Sequence, residues 1–371
     1  MKVNITYIIS NINKALAFEW ISTSLNKEQF NLNFILLNKE NSELEIFLKN
    51  NNFQVDRIVF NTKRDIPLSI YKVYRLIKKY KSNIIHTHLF EASIVGLLAA
   101  YLAKVPRRIY TRHHSDFHHV YFPKAVKYDK LINFLSTDII AISRVVEEIL
   151  VLQEGVNIDK IHLIHHGFKL EDYLISSEIN ISKLKQKYAI KDSYPVIGVI
   201  SRYTEWKGVQ YIIKGFEELL KEYPKALLIL ANATGDYRIE IQKLLQSIPQ
   251  KNYLEITFES DISSLYKLFD VFVHAPITPS VEAFGQTYIE CLAAEIPIIA
   301  TYSGIAKEVL LDKFNALIVP HKNSNEICRS IITLISDENL TKKLKTNSTP
   351  SISKKFDLSL MIIKLETLYL K

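Results

Sequence analysis

Glycine is scarce in this chain, at 9 of 371 residues, and cysteine is scarcer, at 2. Two cysteines, Cys291 and Cys328, cannot build a disulfide framework, which points to a reducing, cytoplasmic setting. No window of about 20 consecutive apolar residues exists, so no segment reads as a membrane span. The opening MKVNITYIIS alternates like a strand and lacks the apolar run and small-residue cleavage site of a signal peptide. The turn after it reads Ser10-Asn11-Ile12-Asn13-Lys14, with none of the glycines of a G-x-G-x-x-G fingerprint. That argues against a nicotinamide dehydrogenase. Walker A and G-x-S-x-G motifs are also missing.

What is present is a globular composition, 48% hydrophobic and 23% charged, at a length suited to two domains. Strand-like runs at 3–10, 31–37, 55–60, 84–88, 108–111, 138–142 and 160–165 alternate with helical patterns. A second series runs through 195–201, 226–231, 254–258, 271–274, 298–301 and 316–319. Apolar strands alternating with helices predict parallel, doubly wound α/β sheets. The polar stretch 176–194 reads as a linker between an N-terminal Rossmann-like domain, 1–175, and a C-terminal one, 195–355. A helix at 356–371 is expected to pack back on the first domain. Two such domains facing a cleft would place a ligand beyond the strand C-termini.

The formal charge is +8 and is concentrated: residues 60–130 hold 14 basic and 4 acidic side chains. His86, His88, His113, His114, His118 and His119 lie in the same stretch. A face this basic suits an anionic partner, and a lysine-rich solvated helix surface is the plainer reading. Tyr121, Phe122, Tyr128 and Phe134 alternate with lysines there, which favours a peripheral contact with an anionic membrane. No nucleic-acid reading module accompanies the charge, so nucleic acid is not expected as a partner. The spacing of His113, His114, His118 and His119 would admit zinc, but no Cys or Glu completes a site, and no metal is expected.

The densest chemistry lies in 279–301, PSVEAFGQTYIECLAAEIPIIAT. Glu282 and Glu290 flank an Ala-Phe-Gly-Gln turn, after which a helix starts near Gln286 or Thr287. Gly285 lets backbone come close, and the first turn of a helix offers free N–H groups to a phosphate. A helix cap for Glu282 and a surface place for Glu290 are the structural alternatives.

The segment E-A-F-G-Q-T-Y-I-E closely resembles the E-x7-E motif of the retaining, family-four glycosyltransferases of GT-B fold. Residues 199–208, VISRYTEWKG, resemble the family segment whose Arg and Lys bind the donor diphosphate, which maps to Arg202 and Lys207. YTRHHSD at 110–116 resembles the strand end carrying the family's active-site histidine; His113 is the better match and His114 the rival. AISR at 141–144, with Ser143 as an expected N-cap, resembles the segment before a cleft helix. His165-His166-Gly167-Phe168 resembles the family's N-G-x-D turn, and Gly304-x-x-x-Glu308 a further site element. The motifs span roughly 86–320. One departure is the Gly-rich turn that the family carries after its first strand; Asn11 and Lys14 stand there instead.

The resemblance implies a retaining, metal-independent transfer of sugar from a UDP- or GDP-sugar to a glycan or lipid-linked acceptor, without a cofactor. Arg202 and Lys207 would hold the diphosphate, Glu290 the ribose, and Glu282 and His113 the sugar. The backbone of Phe284, Gly285, Gln286 and Thr287 would complete the donor site. The absence of an Asp-x-Asp sequence agrees with metal independence. A GT-B nucleotide-sugar epimerase or hydrolase, or a non-catalytic nucleotide-sugar-binding protein, are the alternatives.

Overall fold

The computed structural model describes residues 2–371. Seven strands build the first sheet: β1 (Val3–Ser10), β2 (Phe30–Leu37), β3 (Gln54–Ile58), β4 (Ile84–His88), β5 (Arg107–Arg112), β6 (Asp138–Ala141) and β7 (Ile161–Leu163). Their order is β3-β2-β1-β4-β5-β6-β7, all parallel. The second sheet contains β8 (Val196–Ile200), β9 (Leu227–Ala231), β10 (Tyr253–Ile256), β11 (Val271–His274), β12 (Ile298–Ala300) and β13 (Leu317–Ile318). Its order is β10-β9-β8-β11-β12-β13, again all parallel. Each sheet order reverses direction after its first-formed strand, the doubly wound pattern in which ligand-binding loops gather at the strand C-termini.

The continuous apolar runs follow from helices on both faces. Ile5, Tyr7 and Ile9 of β1 enter one core with Leu32, Phe34 and Leu36 of β2. Ile8 enters the opposite core with Ile35 and Leu37. A period of two therefore feeds two cores, and the Ile8 face also buries Thr6 and Ser10, with Thr6 Oγ1 2.7 Å from Ser82 Oγ. Burial of each such side chain contributes about 1.5–3 kcal/mol.

The chain divides into two compact units, one comprising residues up to Phe168 with Leu358–Lys371, the other Lys169–Asp357. The expected linker at 176–194 is corrected by this division, because the segment lies inside the second unit. It contains the helix Glu178–Lys187, and Lys187 and Tyr188 both hydrogen-bond the buried Glu259. Its polar sequence is the solvated side of a packed helix. The helix Leu358–Leu370 belongs to the first unit, where Met361, Leu365, Leu368 and Tyr369 join the core of β1 and β2. It follows the helix Glu338–Phe356 closely, and that helix continues through Pro350.

The glycine-poor turn after β1 solves its geometry with asparagine. Asn11 takes φ 51°, a left-handed value that Asn tolerates better than most residues. Asn38 then pins the turn, its side chain accepting from the Ile12 amide and donating to the Ile12 carbonyl.

Candidate functional site

The turn between β11 and the helix Gln286–Ala293 is built by glycine and by two flanking loops. Gly285 sits at φ 88° immediately before the helix, and an added Cβ would lie 2.6 Å from the Tyr288 ring. Gly304, at φ 57°, packs its α-carbon under the same turn; a Cβ there would meet the Phe284 carbonyl at 2.6 Å. Its amide donates to the Pro279 carbonyl and the Ile305 amide to the Phe284 carbonyl. The first helical turn leaves amides without intrahelical partners, and the buried Thr287 hydroxyl beside them also has none.

Glu282 is buried in this turn and holds two basic partners. Lys207 Nζ lies 2.5 Å from its Oε1, and His274 Nε2 lies 3.2 Å from the same oxygen. Its backbone amide donates to Ser303 Oγ. Burial alone would raise its pKa, but the Lys207 charge and the His274 contact outweigh burial and hold it well below the carboxylate range. His274 is itself pushed down by burial, so Nε2–H donates to an ionised Glu282. Lys207 reaches this position from a short turn, Glu205–Lys207, that ends in Gly208 at φ 75°. A Cβ at Gly208 would come 1.9 Å from the Ala275 carbonyl oxygen, so only glycine lets the two loops meet. Arg202, on the same loop, is exposed and forms no ion pair among the described residues. Lys207 and Glu282, expected to serve separate tasks, form a pair.

Glu290 lies one turn into the helix, where Tyr266 donates to Oε2 at 3.0 Å and Tyr173 to Oε1 at 3.3 Å. Burial raises its pKa against these two hydroxyl donors. Tyr173, Tyr266, His274 and Ser303 were not found from sequence. Tyr173, Tyr266 and Ser303 converge from distant positions, and His274 sits at the end of β11, where no motif marks it.

In the first unit, His113 and His114 diverge directly after β5. His113 Nε2 lies 3.0 Å from His88 Nδ1, and its ring stacks on His166 at 5.6 Å between centroids. His114 turns to Asp129 at 3.2 Å, within a buried network. There Arg112 pairs with Asp129 at 3.2 Å and with Glu154 at 2.6 Å, all three side chains being fully buried. His118 also reaches Asp129, at 2.7 Å. His114, His118 and Asp129 could converge on a cation, but the Arg112 charge already satisfies that carboxylate. Burial pushes His114 down to about 4 and His86 to about 3, and it holds His88 and His113 well below their ordinary value. These four histidines are therefore neutral near pH 7, and the positive charge of this stretch rests on its Lys and Arg side chains.

Two family comparisons cover most of the chain. Residues 40–172 match Glycosyltransferase Family 4, and residues 180–350 match Glycosyl transferases group 1. The chain belongs to the family-four type of GT-B glycosyltransferases. It is 28% identical to the capsular polysaccharide biosynthesis glycosyltransferase CapM of Staphylococcus aureus, over 84% of each chain. It is 24% identical to the UDP-Gal:alpha-D-GlcNAc-diphosphoundecaprenol alpha-1,3-galactosyltransferase of Escherichia coli, covering 93% of this chain and 90% of that one. Its fold matches that of HepE of Anabaena in complex with UDP-glucose, with TM-score 0.85 and 21% identity over 99% of this chain and all of the other. These matches favour a transferase over the epimerase and binding-protein alternatives.

The remaining residues singled out in this glycosyltransferase have clear local settings. Ser143 caps the helix Arg144–Leu152 by accepting from the Val146 amide. Gly167 donates its amide to Met361 Sδ at 3.1 Å. Glu308 lies in the short helix Ala306–Val309, beside the Gly304 turn. Asn11 is exposed, and Lys14 lies 3.6 Å from Glu43.

Proposed function

We propose that the protein is a retaining, metal-independent enzyme moving a sugar from a nucleoside diphosphate donor, UDP or GDP in type, to an acceptor hydroxyl in polysaccharide, lipopolysaccharide or glycolipid assembly. The observation that carries the reading is the meeting of Lys207 and the free first turn of Gln286–Ala293 at the Glu282 turn. An ammonium has three donors; Glu282 takes one, and two remain for a diphosphate. Arg202 is unpaired and suits a bidentate grip on phosphate. Together with the helix amides they oppose the charge that develops on the leaving group, so no Asp-x-Asp metal holder is required. Glu290, oriented by two tyrosines, accepts the ribose hydroxyls; Glu282 and the Phe284–Gln286 backbone receive the sugar, and His113 carries over as a further sugar contact. No nucleophile is needed: the acceptor oxygen bonds to the anomeric carbon on the face that the phosphate leaves, and the departing phosphate oxygen takes the acceptor's proton. The names of the E. coli relative and the HepE complex, with UDP-Gal and UDP-glucose, support a UDP donor.

A thermal-shift panel of UDP-, GDP-, ADP- and CMP-sugars tests this. A UDP- or GDP-sugar at about 100 times its Kd stabilises the fold by about 2.7 kcal/mol, and the shift persists in EDTA. A panel without any shift, or a shift abolished by EDTA, overturns the donor or the metal-independence assignment respectively. The anomeric configuration of the product decides retention.

The acceptor in this reading is lipid-linked. The helices Ile66–Tyr80, Phe90–Leu102 and Val126–Leu135 pack in succession on the first sheet. The last exposes Lys127, Tyr128, Lys130 and Leu131, with Phe134 74% exposed. Apolar rings among lysines suit an anionic membrane surface. The protein is expected to sediment with anionic vesicles at low salt and to be released at high salt. Absence of binding at low salt overturns the membrane contact.

A further inference from the structure

His88 has one feature that the transfer reading leaves unused. It is the last residue of β4 and is buried, with Tyr7 stacked at 5.3 Å and 8° and Phe18 edge-on at 4.8 Å. Its Nδ1 lies 3.0 Å from His113 Nε2, and its own Nε2 is buried without any partner. Among the described residues His113 makes no other hydrogen bond, so Nδ1 is its remaining polar atom. His86 also crowds His88, with ring centroids 4.2 Å apart, and His166 covers His113; none of these neighbours is an acid that would favour a charged ring.

Two neutral imidazoles in contact share one proton, and their tautomers are locked together. If His113 donated from Nε2, the proton of His88 would sit on its orphan Nε2, leaving a buried N–H without an acceptor. If His88 donates from Nδ1, the orphan nitrogen is a bare lone pair among aromatic rings. Orphaned buried N–H groups are the rarer of the two defects. We infer that His88 is a positioning residue that fixes His113 as its Nδ1–H tautomer, so that His113 offers an N–H donor to an oxygen of the bound sugar. The identity of that oxygen acceptor rests on the transfer reading above; the tautomer does not.

The test separates the two. ¹⁵N-histidine spectra of the whole protein, assigned with His113→Ala, are expected to show the His113 proton on Nδ1. A proton on Nε2 overturns the inference whatever the activity. His88→Phe keeps the ring stack and removes the donor; the His113 proton is then expected to move toward Nε2. Turnover of the donor selected by thermal shift should fall about 10- to 100-fold in kcat, with little change in donor KM. His88→Asn, which restores a donor near Nδ1, should recover most of both signals, and its thermal midpoint controls for folding. A His88→Phe protein whose tautomer shifts with kcat unchanged overturns the positioning role. Wild-type Nδ1–H with His113→Ala at full turnover upholds the tautomer and removes His113 from the transfer reading.

Discussion

Lys207→Ala is expected to lower donor turnover by about 10³-fold and to destabilise the C-terminal domain, whereas Arg202→Ala lowers turnover by about 10²-fold with an unmoved thermal midpoint. The contrast follows from their surroundings. Arg202 is exposed and forms no ion pair among the described residues, so truncating it is expected to remove only the proposed contact to the donor. Lys207 faces a carboxylate that is only 10% exposed. Removing one partner of a buried pair leaves an uncompensated charge, and about 3 kcal/mol is a fair expectation for a lysine that keeps some solvent contact. Glu282 then loses the main cause of its depressed pKa, and burial pushes it upward. Lys207→Met combined with Glu282→Gln should restore most of the stability but not the turnover. Steady-state kinetics and thermal midpoints of the three variants check this. A Lys207→Ala enzyme with most of its turnover and an unchanged midpoint removes Lys207 from both roles.

Mild acid is expected to unfold the N-terminal domain first. His86, His88, His113, His114 and His166 all have folded pKa values depressed by burial, with His114 and His166 near about 4 against 6.5 in the open chain. Below pH 6.5 the unfolded chain takes up protons that the folded chain refuses. Stability is therefore whole above pH 6.5, falls as pH drops toward about 4, and levels off for these two once they titrate in the native state. Three such histidines give a slope of roughly 4 kcal/mol per pH unit, enough to exhaust an ordinary domain stability of about 5–15 kcal/mol within a few units. Depressed carboxylates such as Asp129 and Glu282 act in a lower window, since their contribution is present above the unfolded value and is lost only as pH falls through the folded one. In the second domain, burial depresses the pKa of His274. The two tryptophans, Trp20 and Trp206, lie one in each domain, so single Trp→Phe variants report each separately. Urea midpoints at Trp20 that stay constant from pH 7 to 5 defeat the prediction.

Much of the fold was legible because parallel strands buried on both faces are rich in apolar residues: 271–274, VFVH, coincides with β11, and 84–88, IIHTH, coincides with β4 although His86, Thr87 and His88 are polar. Other elements hid for stated reasons. Helices Phe117–Tyr121 and Val126–Leu135 carry histidines and aromatics on mixed faces, and Asp129 points inward to Arg112, which blurs the apolar stripe. The stretch 176–194 looked like a linker because its helix buries only Leu184. At the candidate site, Glu282, Gly285 and Glu290 were readable as one local motif and Lys207 as part of a second, at 199–208. Their partners were not: His274 lies eight residues from Glu282 on a strand end, and Tyr173 reaches Glu290 across 117 positions. Nor does any sequence signal distinguish His113 from His114 as strongly as their opposite hydrogen bonds do.

The Leu358 amide donates to the Phe168 carbonyl at 2.9 Å. The chain therefore leaves the first unit and re-enters it within one hydrogen bond, and everything from Lys169 to Asp357 is an insertion with adjoining ends. Tyr369 meets Tyr7 and His86 only after that insertion has been made. Synthesis normally lets the N-terminal domain fold first. Here the order inverts: the second unit is complete, and free to fold, while the first still waits for the helix that closes its core.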